Sequence, residues 1–158
     1  MGIFDDMLKG DESLFLDSMA LDVDYMPPIV KHREGEQGYI AECLKPLFNN
    51  RSGKNVVLSG APGLGKTVAT KHLLDELKDQ SGTIKTVFIN CWKKDTPYKA
   101  IVEMCNQLGF RFIANRNSDE LLKEATKILN KGPCVIVLDE ADKIDEQQIF
   151  YTLFEDIF

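Results

Sequence analysis

No apolar run in this chain approaches the roughly 20 residues needed to cross a bilayer. The opening MGIFDD has neither the basic flank nor the apolar core of a secretion signal. Gly2 invites an N-myristoyl reading, but Asp6 stands where Ser or Thr is needed. No membrane partner is expected, and the chain reads as soluble and intracellular. Histidine is scarce, with His32 and His72 alone, and the four cysteines (Cys43, Cys91, Cys105, Cys134) show no CxxC or HxxxH spacing. This argues against a structural zinc site and leaves the cysteines as small buried hydrophobes of a reducing compartment. Cations are not in excess either: 19 Lys and Arg face 25 Asp and Glu, a net charge of −6. That balance argues against nucleic-acid binding by the whole surface while leaving room for a local basic patch.

What is there is ordinary globular material. Hydrophobic residues make up 44% of 158 positions, enough for one domain with a real core. Residues 1–26 mix short apolar clusters (Ile3, Phe4, Met7, Leu8; Leu14, Phe15, Leu16) with many acids, and read as an N-terminal surface segment. Pro27 and Pro28 then force extended or turn backbone. From Arg33 to Phe48 apolar residues recur at helical spacing, with Pro46 set to kink or end the helix. NVVLS (55–59) is expected as a short buried strand and residues 65–79 as a helix with Val68, Leu73, Leu74 and Leu77 inward. TVFIN (86–90) reads as a second strand. Pro97 suits the first turn of a helix running to about Leu108, and FRFIANRN as irregular chain. Asn117 with Glu120 resembles a capping box opening a helix with Leu121, Leu122, Ala125, Ile128 and Leu129 on its apolar face. CVIVL (134–138), without polar alternation, is expected as a strand buried on both faces. A last helix is expected from about Asp145, carrying Ile149, Phe150, Leu153 and Phe154. Strands alternating with helices predict an α/β parallel sheet.

The turn after the first expected strand reads GAPGLGKT, Gly60 to Thr67, the full G-x-x-x-x-G-K-[ST] phosphate-loop (Walker A) pattern between a strand and a helix. Glycines let backbone amides wrap closely around phosphate oxygens, and the following helix adds its positive end. Gly60, Pro62, Gly63, Leu64, Gly65, Lys66, Thr67 and Val68 are the expected nucleotide contacts. Lys66 would reach the β- and γ-phosphates, and Thr67 would ligate magnesium. The Walker B half is VIVLDE. Asp139 emerges at the C-terminal end of its strand, where open α/β sheets bind ligands, and would hold magnesium. Glu140 would orient and deprotonate the attacking water. An apolar strand must end in something polar, so this pair gains its force from the phosphate loop upstream. Asp142 and Asp145 read as helix-starting caps.

DEAD at 139–142 tempts towards an RNA helicase, but nothing like PTREL or a GG element lies between the two motifs. GxPGxGKT paired with LDEAD resembles the AAA+ ATPases instead. More narrowly, DYMPPIVKHREGE (24–36), GAPGLGKT, FINCWKKDTPYKAIVEMCNQLGF (88–110) and VIVLDEADKI (135–144) follow one another as in archaeal replication initiators of the origin-recognition and cell-division-control type. The resemblance covers the chain from about Leu14 onward. It implies a P-loop AAA+ sheet with flanking helices over residues 27–158, and an ATP- or ADP-binding ATPase core with Mg²⁺. Partners would be origin double-stranded DNA, the replicative helicase and other initiator subunits, in the cytoplasm at the nucleoid. It places the stretch from Tyr25 to Arg33, with Val30 and Arg33, against adenine. It makes the TPY segment part of a DNA-touching helical element, with Lys93, Lys94 and Lys99 as contacts, although Trp92 stands where a basic residue is expected. Between Trp92 and Arg116 five basic residues face two acids; a solvated helix face would look the same. The implied strand order is 5-1-4-3-2, so the domain is expected to be partial, truncated after the Walker B strand and its following helix. The central fourth strand, arginine finger, lid and winged helix are then absent. Such a sheet would stay gapped, be filled by another chain, or pair its first and third strands directly. Other readings are another AAA+ loader, a DEAD-type helicase fragment, or a non-hydrolysing module stabilised by nucleotide.

Overall fold

The computed structural model describes residues 34–144. The N-terminal segment, Val30, Arg33 and the helix expected from Asp145 lie outside the described residues. Helix α1 spans Glu34–Leu44 and passes directly into a 3-10 turn, Lys45–Asn49, with Pro46 in its first turn. Pro46 has no N–H for the α-helical ladder, so the helix ends there as its position predicts. Helix α2 covers Lys66–Gln80, strand β1 Lys85–Asn90, helix α3 Pro97–Gln107, helix α4 Ser118–Leu129 and strand β2 Cys134–Asp139. A 3-10 turn, Ala141–Lys143, follows β2. Both later helices open on side-chain caps: Thr96 accepts from the Lys99 N–H at 3.4 Å and Asn117 Oδ1 from the Glu120 N–H at 2.9 Å.

The strands run parallel, from Lys85 opposite Cys134 to Asn90 opposite Asp139. Val87 and Ile89 on one face meet Met104, Cys105, Leu121 and Ala125 from α3 and α4, all essentially sealed from water. Each large side chain buried this way stabilises the fold by about 1.5–3 kcal/mol. Under the other face, Leu47, Leu77 and Ile84 form a smaller cluster against Val135, and Lys71 of α2 lies over the Phe88 ring. Helices thus flank the pair on both sides, the α/β arrangement expected.

Two strand expectations need correction. Residues 55–59 form no strand: among the described residues nothing pairs with them, and Val57 is 91% exposed. A strand is made by its partner's hydrogen bonds, and an apolar run alone cannot supply them. β2 is not sealed on both faces either; all six of its residues are only half-buried. Among the described residues the sheet is the β1–β2 pair alone, so the first expected strand has not paired with the third. Among the described residues no helix is long and apolar enough to cross a membrane.

The opposite edge, on β1, is covered at Phe88. The N–H groups of Lys85 and Cys91 point to Pro133 and Asp139 carbonyls, so Phe88, of the other parity, turns its backbone to the free side. There the Gln107 side-chain amide accepts from the Phe88 N–H at 2.8 Å and donates to its C=O at 2.7 Å. One side chain thereby stands in for a neighbouring strand.

Candidate functional site

The loop before α2 is built on left-handed backbone at Gly63 (φ 78°) and Gly65 (φ 75°), which a residue with a Cβ enters only at about 1–2 kcal/mol. Gly65 occupies the N-cap of α2 without a side-chain cap, and no acidic residue stands in the first turn. The positive end of α2 is therefore left to an incoming anion, the arrangement the motif needs. Lys66 Nζ meanwhile rests on the loop itself, donating to the carbonyls of Gly60 at 2.8 Å and Ala61 at 2.9 Å.

The hydroxyl of Thr67 donates to Asp139 Oδ1 and Oδ2 at 3.0 and 3.1 Å, joining two motifs 72 positions apart. This brings together the two expected magnesium ligands. Their chemistry fits that ion: magnesium takes hard oxygens and at phosphate-loop sites needs only one or two from protein, the rest coming from phosphate and water. Glu140 follows on exposed backbone in the left-handed region at φ 53°, with its C=O accepting from the Lys143 N–H at 2.9 Å. Leu64 and Pro62 lie on the exposed loop and Val68 is half-buried in α2. Among the described residues Asp142 caps no helix: it lies inside the turn after Glu140 and pairs with Lys143 at 2.8 Å, a hydrogen bond that lowers its pKa.

Asn90 is the residue sequence reasoning passed over. It ends β1 directly opposite Asp139 and donates to Asp139 Oδ2 at 3.2 Å, while its Oδ1 accepts the Lys93 N–H at 3.1 Å. It shares Oδ2 of that carboxylate with Thr67. The available signal was two apolar strands, each ending in a polar residue, that become neighbours once their register is known. Beneath them Cys91 is sealed, and burial followed by the charges of Asp139 and Asp142 pushes its thiol up to about 11.

The expected DNA contacts cluster less simply. Lys93 is exposed on the turn after β1, but Lys94 is paired with Glu103 at 3.1 Å and Lys99 with Asp95 at 2.7 Å. Ion pairs this exposed contribute little.

A model of the family described as AAA domain matches residues 50–157. The ORC1-type DNA replication protein 9 of Halobacterium salinarum is 26% identical over 141 residues, which cover 87% of this chain and 39% of that protein. The ORC1-type DNA replication protein 1 of Sulfurisphaera tokodaii is 32% identical over 125 residues, 77% of this chain and 31% of that one. Among solved structures, the Aeropyrum pernix ORC1 protein in complex with DNA superposes with a TM-score of 0.75 at 28% identity, covering 87% of this chain and 39% of that one. The chain thus spans less than half the length of the relatives it matches.

Proposed function

Because this chain belongs to the AAA domain family, on its ORC1/Cdc6-type branch, we propose that it is the nucleotide-binding part of a DNA replication initiator, taking ATP or ADP with Mg²⁺. The observation that carries this reading is the Thr67–Asp139 hydrogen bond at 3.0 Å, set beside an uncapped helix start. Backbone amides from Gly60 to Val68 would wrap the phosphates, and Lys66 would leave the carbonyls of Gly60 and Ala61 for β- and γ-phosphate oxygens. Thr67 and Asp139 would hold a magnesium ion, which would supply neutralisation of phosphate charge. Asn90 keeps Asp139 oriented, and Glu140 would take a proton from the attacking water. Val30 and Arg33 contact adenine, as the family resemblance implies.

Transition-state charge on the γ-phosphate needs a further cation, in this class an arginine from a partner or another part of the fold. Binding without fast turnover is therefore expected of this chain alone. Phosphate release should be slow, and Glu140→Gln should lower it further while leaving ATP binding intact. Rapid turnover by the chain alone, abolished by Glu140→Gln, would contradict this. In the complete protein the basic turn with Lys93 meets origin duplex DNA, and the nucleotide state governs assembly with other initiator subunits and loading of the replicative helicase. One solved relative is held on DNA. Lys93→Glu should weaken duplex binding uniformly across sequences and flatten its salt dependence, as loss of a phosphate contact does.

A further inference from the structure

We propose that Trp92 and Lys143 form a latch between the turn carrying Glu140 and the basic turn after β1, through which occupation of the nucleotide site is transmitted to Lys93 and Lys94. The proposal rests on the nucleotide reading above and adds a route of regulation to that site. β1 and β2 end in register at Asn90 and Asp139, so the turns at 91–94 and 140–143 leave the sheet side by side. The first turn is tied to Asp139 twice, by the Cys91 N–H to its C=O at 2.8 Å and by Asn90 Nδ2 to its carboxylate at 3.2 Å. Asn90 Oδ1 then accepts the Lys93 N–H, so the residue that touches the carboxylate also shapes the basic turn.

The second tie is made by side chains alone. Trp92 is 67% exposed, so burial does not fix its indole; the Lys143 ammonium lies 5.6 Å from the ring centre and holds it by cation–π attraction. The same ammonium meets Asp142 at 2.8 Å, and the Lys143 N–H closes the turn on the Glu140 carbonyl. Lys143 therefore joins Trp92 to the backbone of Glu140, which sits in a strained left-handed conformation. For Thr67 and Asp139 to turn their oxygens to a cation, the hydroxyl proton must leave the carboxylate. That rearrangement pulls on Asn90 and on the Glu140 turn together. Both paths end on residues 91–94.

Trp92 is the sole tryptophan, so its emission reads the latch without a label. The chain is titrated with ATP and Mg²⁺ while emission is followed, and binding of radiolabelled ATP is measured in parallel. The expected result is a saturable emission change with the same midpoint as ATP binding. Lys143→Met should lose the change and Lys143→Arg should keep it, both variants binding ATP as the parent does. Normal binding with unaltered emission, or a full change in Lys143→Met, overturns the latch. Absence of labelled-ATP binding by the parent chain overturns the nucleotide reading itself, and the latch with it.

Discussion

Glu140 stands at φ 53° and ψ 44° with no glycine to ease it, and a side chain in that region costs about 1–2 kcal/mol. Strain of this kind persists where the surroundings impose it, here the turn closed by Lys143. Glu140→Gly should therefore raise stability towards urea by up to about 1 kcal/mol, offset in part by glycine's entropy, while Glu140→Ala should not. Equal gains from both would show that the backbone is not strained. Cys91 gives a pH test. Its thiol is held neutral at about 11 against an ordinary 9.0, so the folded chain binds that proton more tightly than the unfolded chain. Its contribution is complete below pH 9 and is lost as pH rises towards 11. Stability should fall across that window, and more gently in Cys91→Ala, although the cavity lowers the variant's stability throughout. An unchanged slope would contradict the assignment. At this scale the phosphate-loop pattern could be proposed because its glycines and lysine lie close together in the chain. Asn90 and the Trp92–Lys143 contact were not, since they arise only when two strands distant in sequence come into register.

Elements tell a similar story. The helices between residues 66 and 129 were legible to within a residue or two because their signals are local: Pro97 in a first turn, Asn117 bonded to the Glu120 N–H, apolar spacing that places Leu121 and Ala125 inward. NVVLS was misread because an apolar run states only that a segment avoids water; becoming a strand depends on a partner elsewhere. Asn117→Ala should cost about 1 kcal/mol through the lost cap. Gln107 is more informative. It covers the outward N–H and C=O of Phe88 and is itself bonded to Glu103, whose pKa it lowers. A free strand edge is a template for another chain, and Gln107 blunts this one. Gln107→Ala should lose about 1 kcal/mol and show concentration-dependent self-association by size-exclusion chromatography. A variant as stable and monodisperse as its parent would remove that role.

For the molecule as a whole, one arrangement connects these parts: a parallel pair between helix layers delivers Asp139 and Asn90 to the end where α2 begins, and Thr67 closes the circuit. Gln107 covers the β1 edge at Phe88, whereas all six residues of β2 are half-exposed. Parallel α/β layering was readable from alternating patterns, whereas which strands pair was not, because pairing depends on segments distant in the chain. The central claim is that Gly60–Thr67 and Asp139 converge on one magnesium-bound nucleotide. The measurement that tests it most directly is equilibrium titration with labelled ATP in Mg²⁺ and in EDTA, for the parent chain and for Lys66→Ala. Saturable binding that weakens without magnesium and is lost in Lys66→Ala is the predicted result. No saturable binding by the parent, or binding indifferent to both magnesium and Lys66, would contradict the account.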